Sequence, residues 1–90
     1  MKEERFINIT GTDYIVPVLW GEHPESPDYI TYGFETKSEG IAFIRGVLEG
    51  EGWNDYVGIE GPRTNQKRLL HTFKEAVQER HPYLFEEKGA

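Results

Sequence analysis

The chain has no cysteine and a single methionine. Without cysteine, a disulfide framework, a thiolate metal site and a cysteine nucleophile are all excluded. An unstapled domain of this kind fits a reducing compartment. No apolar run approaches the roughly 18 residues that a membrane-spanning helix needs. Residues 1–20 also lack an apolar core behind a basic segment, so no secretory signal is expected. The expectation is a soluble cytoplasmic protein. The phosphate-binding pattern GxxxxGK[ST], the dinucleotide pattern GxGxxG and the zinc-binding pattern HExxH are all missing. Serine and threonine are few, and His23, His71 and His81 are scattered. None of these histidines has a neighbouring nucleophile and orienting acid in a pattern that acid–base or nucleophilic catalysis requires. No enzymatic activity, cofactor or metal is expected. No repeat and no low-complexity segment is present.

What the chain does have is ninety residues, enough for one domain spanning residues 1–90. A core at this length is thin. The aromatic share of 13% offsets this, because each large ring removes roughly 150–250 Å² from water. The net charge of −6 is unevenly spread. Residues 1–60 carry twelve acids and four bases, a balance of −8, whereas residues 61–90 carry six bases and four acids. An acidic body therefore bears a small basic patch around Arg63, Lys67, Arg68 and Lys74. That overall charge disfavours direct binding to nucleic acid.

Strand formers at 5–10 (RFINIT) predict a first strand, and the almost wholly apolar 14–20 (YIVPVLW) a second. Pro17 cannot donate to a ladder, which predicts an edge or a bulge there. Residues 21–28 (GEHPESPD) form a loop. In YITYGF (29–34), Ile30, Tyr32 and Phe34 alternate with Tyr29, Thr31 and Gly33, as in a third strand. Thr36-Lys37-Ser38-Glu39 has capping-box spacing. The helix predicted after it, over 38–49, carries Ile41, Phe43, Ile44, Val47 and Leu48 at helical intervals. Gly40 and Gly46 lie within it, and a glycine that faces a sheet lets the backbones approach closely. Gly50 and Gly52 stand where a C-terminal stop belongs. Val57-Gly58-Ile59 is a short fourth strand, ended by Gly61-Pro62. Thr64 or Asn65 caps a second helix over 65–80, whose stripe is Leu69, Leu70, Phe73, Ala76 and Val77. Pro82 stops it, Tyr83-Leu84-Phe85 docks on the body, and residues 86–90 fray.

The order β-β-β-α-β-α implies an α+β domain. The first three strands are expected as an antiparallel meander. A right-handed crossover makes the third and fourth parallel. The expected architecture is two layers, a mixed four-stranded sheet with both helices on one face.

Three segments are candidates for function. The basic turn at 61–68 (GPRTNQKR) sets Arg63, Thr64, Asn65, Lys67 and Arg68 at a helix start. Free N–H groups and the positive end of the dipole point outward there. Cations are locally unfavourable at such a place, which makes sense if an anion completes the site. Trp20, Trp53, Asp55 and Tyr56 are candidate interface residues, since aromatics dominate interface energetics. The loop acids Glu22, Glu25 and Asp28 with His23 lack the paired spacing of a metal site, and its two prolines hold it semi-extended.

Over residues 34–56, Phe34, Thr36, Glu39, Gly46, Gly52, Trp53 and Tyr56 form an F-x-T-x-x-E…G…G-W-x-x-Y pattern. It resembles a pattern of small bacterial and phage proteins to which no activity is attached. That resemblance covers about a quarter of the chain. It implies a strand–helix–strand unit and a non-enzymatic role.

The function expected is a non-catalytic module that binds a protein, or itself, through an acidic and aromatic surface. A second expectation is a binder of a phosphorylated small ligand or nucleotide at the start of the second helix. A third is an acidic antagonist, possible for a phage-encoded protein, that imitates nucleic acid before a basic groove.

Overall fold

In a computed structural model of the chain, residues 3–21, 23–49 and 56–85 are described, with side chains from Arg5 to Gly46 (Glu22 apart) and Tyr56 to Phe85. Strand β1 spans Glu3–Asn8, β2 Tyr14–Trp20 and β3 Tyr29–Phe34. Helix α1 runs Lys37–Phe43 and continues through Glu49 as a wider π-helical turn. Strand β4 is Tyr56–Gly58 and β5 only Gly61–Pro62. A single 3₁₀ turn, Arg63–Asn65, leads into α2, Gln66–Arg80, and a second one, Pro82–Phe85, follows it.

The α+β class, the mixed sheet and the order β-β-β-α-β-α are those read from the sequence. The strand order is not a meander. It is β1-β3-β2-β4, with β5 also on β2. The first strand pairs in parallel with β3, through Phe6↔Thr31, Ile7↔Tyr32 and Asn8↔Gly33. The second runs antiparallel to β3 and to β4, so β3 and β4 point the same way with β2 between them.

Central position explains the composition of β2. Residues Tyr14 through Leu19 are all buried. Successive side chains of a strand point to opposite faces, and those of β2 enter two separate clusters. Tyr14, Val16 and Val18 join Phe34, with Tyr32, Phe43 and Ile44 packed on them. Leu19 joins Tyr29, Val57, Phe73 and Val77, with Leu70, Leu84 and Phe85 against them. The first cluster lies under α1 and the second under α2. The helices thus cover opposite faces, and three layers replace the expected two. The reason is in β2 itself: apolar on both sides, it would leave Ile15, Pro17 and Leu19 in water under a single roof. A near-continuous apolar run is the mark of a strand covered on both faces.

Pro17 is likewise neither at an edge nor in a bulge. It is fully buried in the central strand, opposite Thr31. Its missing donor costs little because β4 pairs only with Val18–Trp20 and β5 only with Tyr14–Ile15. Pro17 faces the break between them, where its carbonyl accepts from the Ile59 N–H at 3.3 Å.

Local signals hold well. Thr36 Oγ1 accepts from the Glu39 N–H at 3.3 Å, and the Glu39 carboxylate accepts from the Thr36 N–H at 3.1 Å, completing the capping box. Gly40 is buried against β2, where a Cβ would stand 2.5 Å from the Tyr14 ring. Gly46 has no such role, since a Cβ there meets nothing within 4 Å. Beyond Trp20 the chain turns at Gly21 with φ of 107°, a conformation glycine adopts without strain. The expected glycine stop at Gly50 and Gly52, the side chains of the stripe residues Val47 and Leu48, and the frayed 86–90 lie outside what is described.

Candidate functional site

The start of α2 is built by β5. Gly61 and Pro62 pair with Ile15 and Tyr14, and the Arg63 N–H donates to the Asp13 carbonyl at 2.9 Å. The chain then makes its 3₁₀ turn and enters α2 at Gln66. Asn65 occupies the N-cap position, yet neither it nor Pro62 makes a side-chain cap bond, and no acid lies in the first turn of α2. Thr64 and Asn65 are exposed, so their donors face outward.

Four of the five predicted anion-site residues, Thr64, Asn65, Lys67 and Arg68, line one open hollow of about 670 Å³. Arg63 does not line it. Its role in the fold is the backbone bond to Asp13. Four further walls lie outside the anion-site residues expected from the sequence: Tyr29, Leu70, His71 and Lys74, of which Lys74 belongs to the basic patch. The signal for two of them was present: Lys67, His71 and Lys74 are spaced i, i+4, i+7 and share one side of a helix. His71 also approaches Glu75 at 3.8 Å across one exposed turn. Asn65 and Arg68 sit on the ridge between this hollow and a smaller one of about 270 Å³ beside Glu60 and Thr72. The arrangement can hold an anion by charge and hydrogen bonding.

The aromatic candidates divide. Trp20 and Tyr56 meet at the β2–β4 end of the sheet, with ring centroids 6.4 Å apart. The Trp20 indole N–H donates to the Tyr32 hydroxyl at 3.0 Å. Both rings are half-buried against the α1-side cluster, so they support the interior. Trp53 and Asp55 lie outside the described residues.

The loop read as a poor metal site serves as a staple. The His23 ring lies 4.8 Å from that of Tyr83, whose hydroxyl donates to the Pro24 carbonyl at 2.6 Å. Among the described residues no three His, Asp or Glu side chains converge. Glu22 is outside them. Next to this staple, His81 is only 4% exposed, and its Nε2 finds no hydrogen-bond partner among the described residues. Burial first, then the electrostatic effect of neighbouring Arg80 and His23, holds its pKa below the ordinary 6.5.

An unpaired strand edge lies elsewhere. Among the described residues β1 pairs with β3 alone, leaving its other side open. Among the described residues, Phe6, 39% exposed, and Ile9, 49% exposed, are the large apolar side chains left in water, one in β1 and one just past its end. Phe6 lies across Gly33, where a side chain would collide with its ring. In sequence, residues 5–10 read only as a strand. Its incomplete alternation, with Phe6 on one side and Ile7 and Ile9 on the other, was the available clue.

No described helix is long and apolar enough to cross a membrane. Compared with protein-family models, with curated proteins and with solved structures, the chain matches none.

Proposed function

We propose that this chain is a non-catalytic interaction module that binds another polypeptide by extending its sheet at β1. The observation that supports this is the open edge of β1, flanked by the exposed Phe6 and Ile9. A strand edge offers unpaired N–H and C=O groups as a template for a further strand, and adjacent side-chain contacts supply specificity. Both faces of the sheet centre are already occupied by helices, so the edge is the part of the sheet left to bind. The test is affinity capture with the wild-type protein against a Phe6→Lys, Ile9→Lys variant of unchanged circular dichroism. A polypeptide retained by the first and lost by the second is expected. An inert monomer whose captures do not differ from the variant's contradicts the proposal.

A second reading is favoured by one observation, the convergence of Thr64, Asn65, Lys67 and Arg68 with His71 and Lys74 on one hollow. In this reading the hollow holds a phosphorylated small ligand or nucleotide. A ligand at about 100 times its Kd adds roughly 2.7 kcal/mol of stability, so a thermal-shift series with inorganic phosphate and nucleotides reads it directly. A shift abolished by Lys67→Ala with Arg68→Ala is expected. No shift with any phosphate compound removes this reading.

A further inference from the structure

We infer that the polypeptide taken by β1 is a second copy of this chain, paired antiparallel about a twofold axis at Ile7. This rests on the interaction-module reading. The phase of the backbone carries it. The Ile9 N–H donates to the Gly33 carbonyl at 2.8 Å, which turns Ile9 toward β3. The register of β1 on β3 shifts between Glu3 and Arg5 and is regular from Arg5 onward. Strand groups alternate in direction over this regular stretch, so Arg5 and Ile7 also turn toward β3 while Phe6 and Asn8 present their N–H and C=O outward. These two residues are symmetric about Ile7. In a twofold antiparallel pairing, Phe6 of each copy faces Asn8 of the other, and both exchange N–H···O=C bonds. The four outward groups of this regular stretch are then satisfied by the same four groups of its copy.

The side chains agree with that register. Ile7 meets Ile7 of the second copy as the close, non-bonded pair. Arg5 falls opposite Ile9, where its aliphatic stem covers the exposed isoleucine while its charge stays in water. Phe6 lies opposite Asn8 and diagonal to the other Phe6, within aromatic reach. Charge permits the approach too. The chain carries −6, but within residues 5–9 Arg5 is the one charged residue, and the twofold sets the two arginines at opposite ends of the pairing, so two copies meet here without close like-charge contact.

The opposite side of the sheet explains why assembly would stop at two. Its strands, β4 and β5, have three and two residues. Edges that short are poor templates. One usable edge meeting itself is an isologous contact, which closes as a dimer and does not propagate as a filament. An extended segment of another protein would meet the same outward groups, and the experiment separates the two.

Because the chain has no native cysteine, a lone Ile7→Cys is an unambiguous reporter. Directly opposed strand residues have Cβ atoms about 4.5–5.5 Å apart, close to disulfide range. Mild oxidation is expected to link Ile7→Cys into dimers, and Thr12→Cys, a loop position away from the axis, is expected to stay monomeric. In sedimentation equilibrium, Asn8→Pro removes an outward N–H without touching a bond to β3. Loss of one bond from each copy predicts dimerisation weaker by about tenfold or more. Phe6→Lys, with its monomer fold checked by circular dichroism, is expected to weaken it as well. Wild-type protein that remains monomeric at all concentrations overturns self-pairing, as does a dimer unaffected by both variants. A monomer whose Ile7→Cys form links instead to a different protein overturns the second copy but leaves the interaction module standing. A monomer that links to nothing removes both.

Discussion

Two glycines of the first helical segment should respond to the same substitution with opposite sign. At Gly40, an alanine Cβ would stand 2.5 Å and 2.8 Å from two carbons of the Tyr14 ring and 3.6 Å from Val16 Cγ2. Ordinary contact begins at 3.4 Å, so the shortest approach is about 0.9 Å too close. Tyr14 is buried in the central strand and cannot swing clear. Helix propensity favours the change by up to about 1 kcal/mol. Overpacking opposes it by roughly 1–3 kcal/mol. The collision is with the flank of a buried ring, so the upper part of that range applies. Gly40→Ala should therefore be net destabilising, by about 1–2 kcal/mol. At Gly46 the added methyl meets nothing within 4 Å, and the backbone has no positive φ. Gly46→Ala should stabilise by roughly 0.4–1 kcal/mol, chiefly by restricting the unfolded chain. Urea denaturation reads both as shifts of the midpoint at constant slope. A Gly40→Ala protein as stable as wild type would refute the close seating of α1 on β2. Stabilisation by both substitutions would refute it more strongly.

Other perturbations follow from single contacts. Thr36→Ala removes the oxygen that accepts from Glu39 and should cost about 0.5–2 kcal/mol in the same assay, with Thr36→Ser recovering most of it. Phe73→Ala empties a fully buried position under α2 and should cost roughly 3–5 kcal/mol, a large part of a small domain's stability. His81 is held neutral by burial, Arg80 and His23, so its folded pKa lies below 6.5 and the unfolded chain takes up the proton first as pH falls. Its contribution is complete above pH 6.5 and declines as pH drops through 6.5 toward the folded value. Midpoints measured across that window should fall with pH in wild type and fall less in His81→Leu. An equal slope in both proteins would refute the assignment.

Short-range features were legible in the sequence because their causes are short-range. The Thr36 box, the stripe of α2 and the stop at Pro82 each depend on residues within a few positions of one another. Strand order depends on which surfaces meet across the chain. The sequence reading joined β1 to β2 because they are consecutive, whereas β1 pairs with β3. The run YIVPVLW held the clue to three layers, since apolar residues at every position require cover on both faces. Pro17 argued against a central strand by rule. The break between β4 and β5, which makes its place tolerable, is visible only in the pairing. At the basic turn, helical spacing brought Lys67, His71 and Lys74 to one side. Tyr29 joins them from thirty-five positions or more away, through sheet packing that no local pattern encodes. Phe6 and Ile9 read as ordinary strand residues, because exposure at an edge follows from strand order.

Amide hydrogen exchange along β1, followed as protein concentration is raised, addresses the β1 edge most directly. In dilute solution Ile7 and Ile9 should exchange slowly and Phe6 and Asn8 quickly, reflecting bonds to β3 on one side and water on the other. At high concentration the Phe6 and Asn8 amides should become protected together. Exchange at those two amides that is already slow in the dilute monomer, or that never changes with concentration, would contradict an open edge that pairs with its own copy.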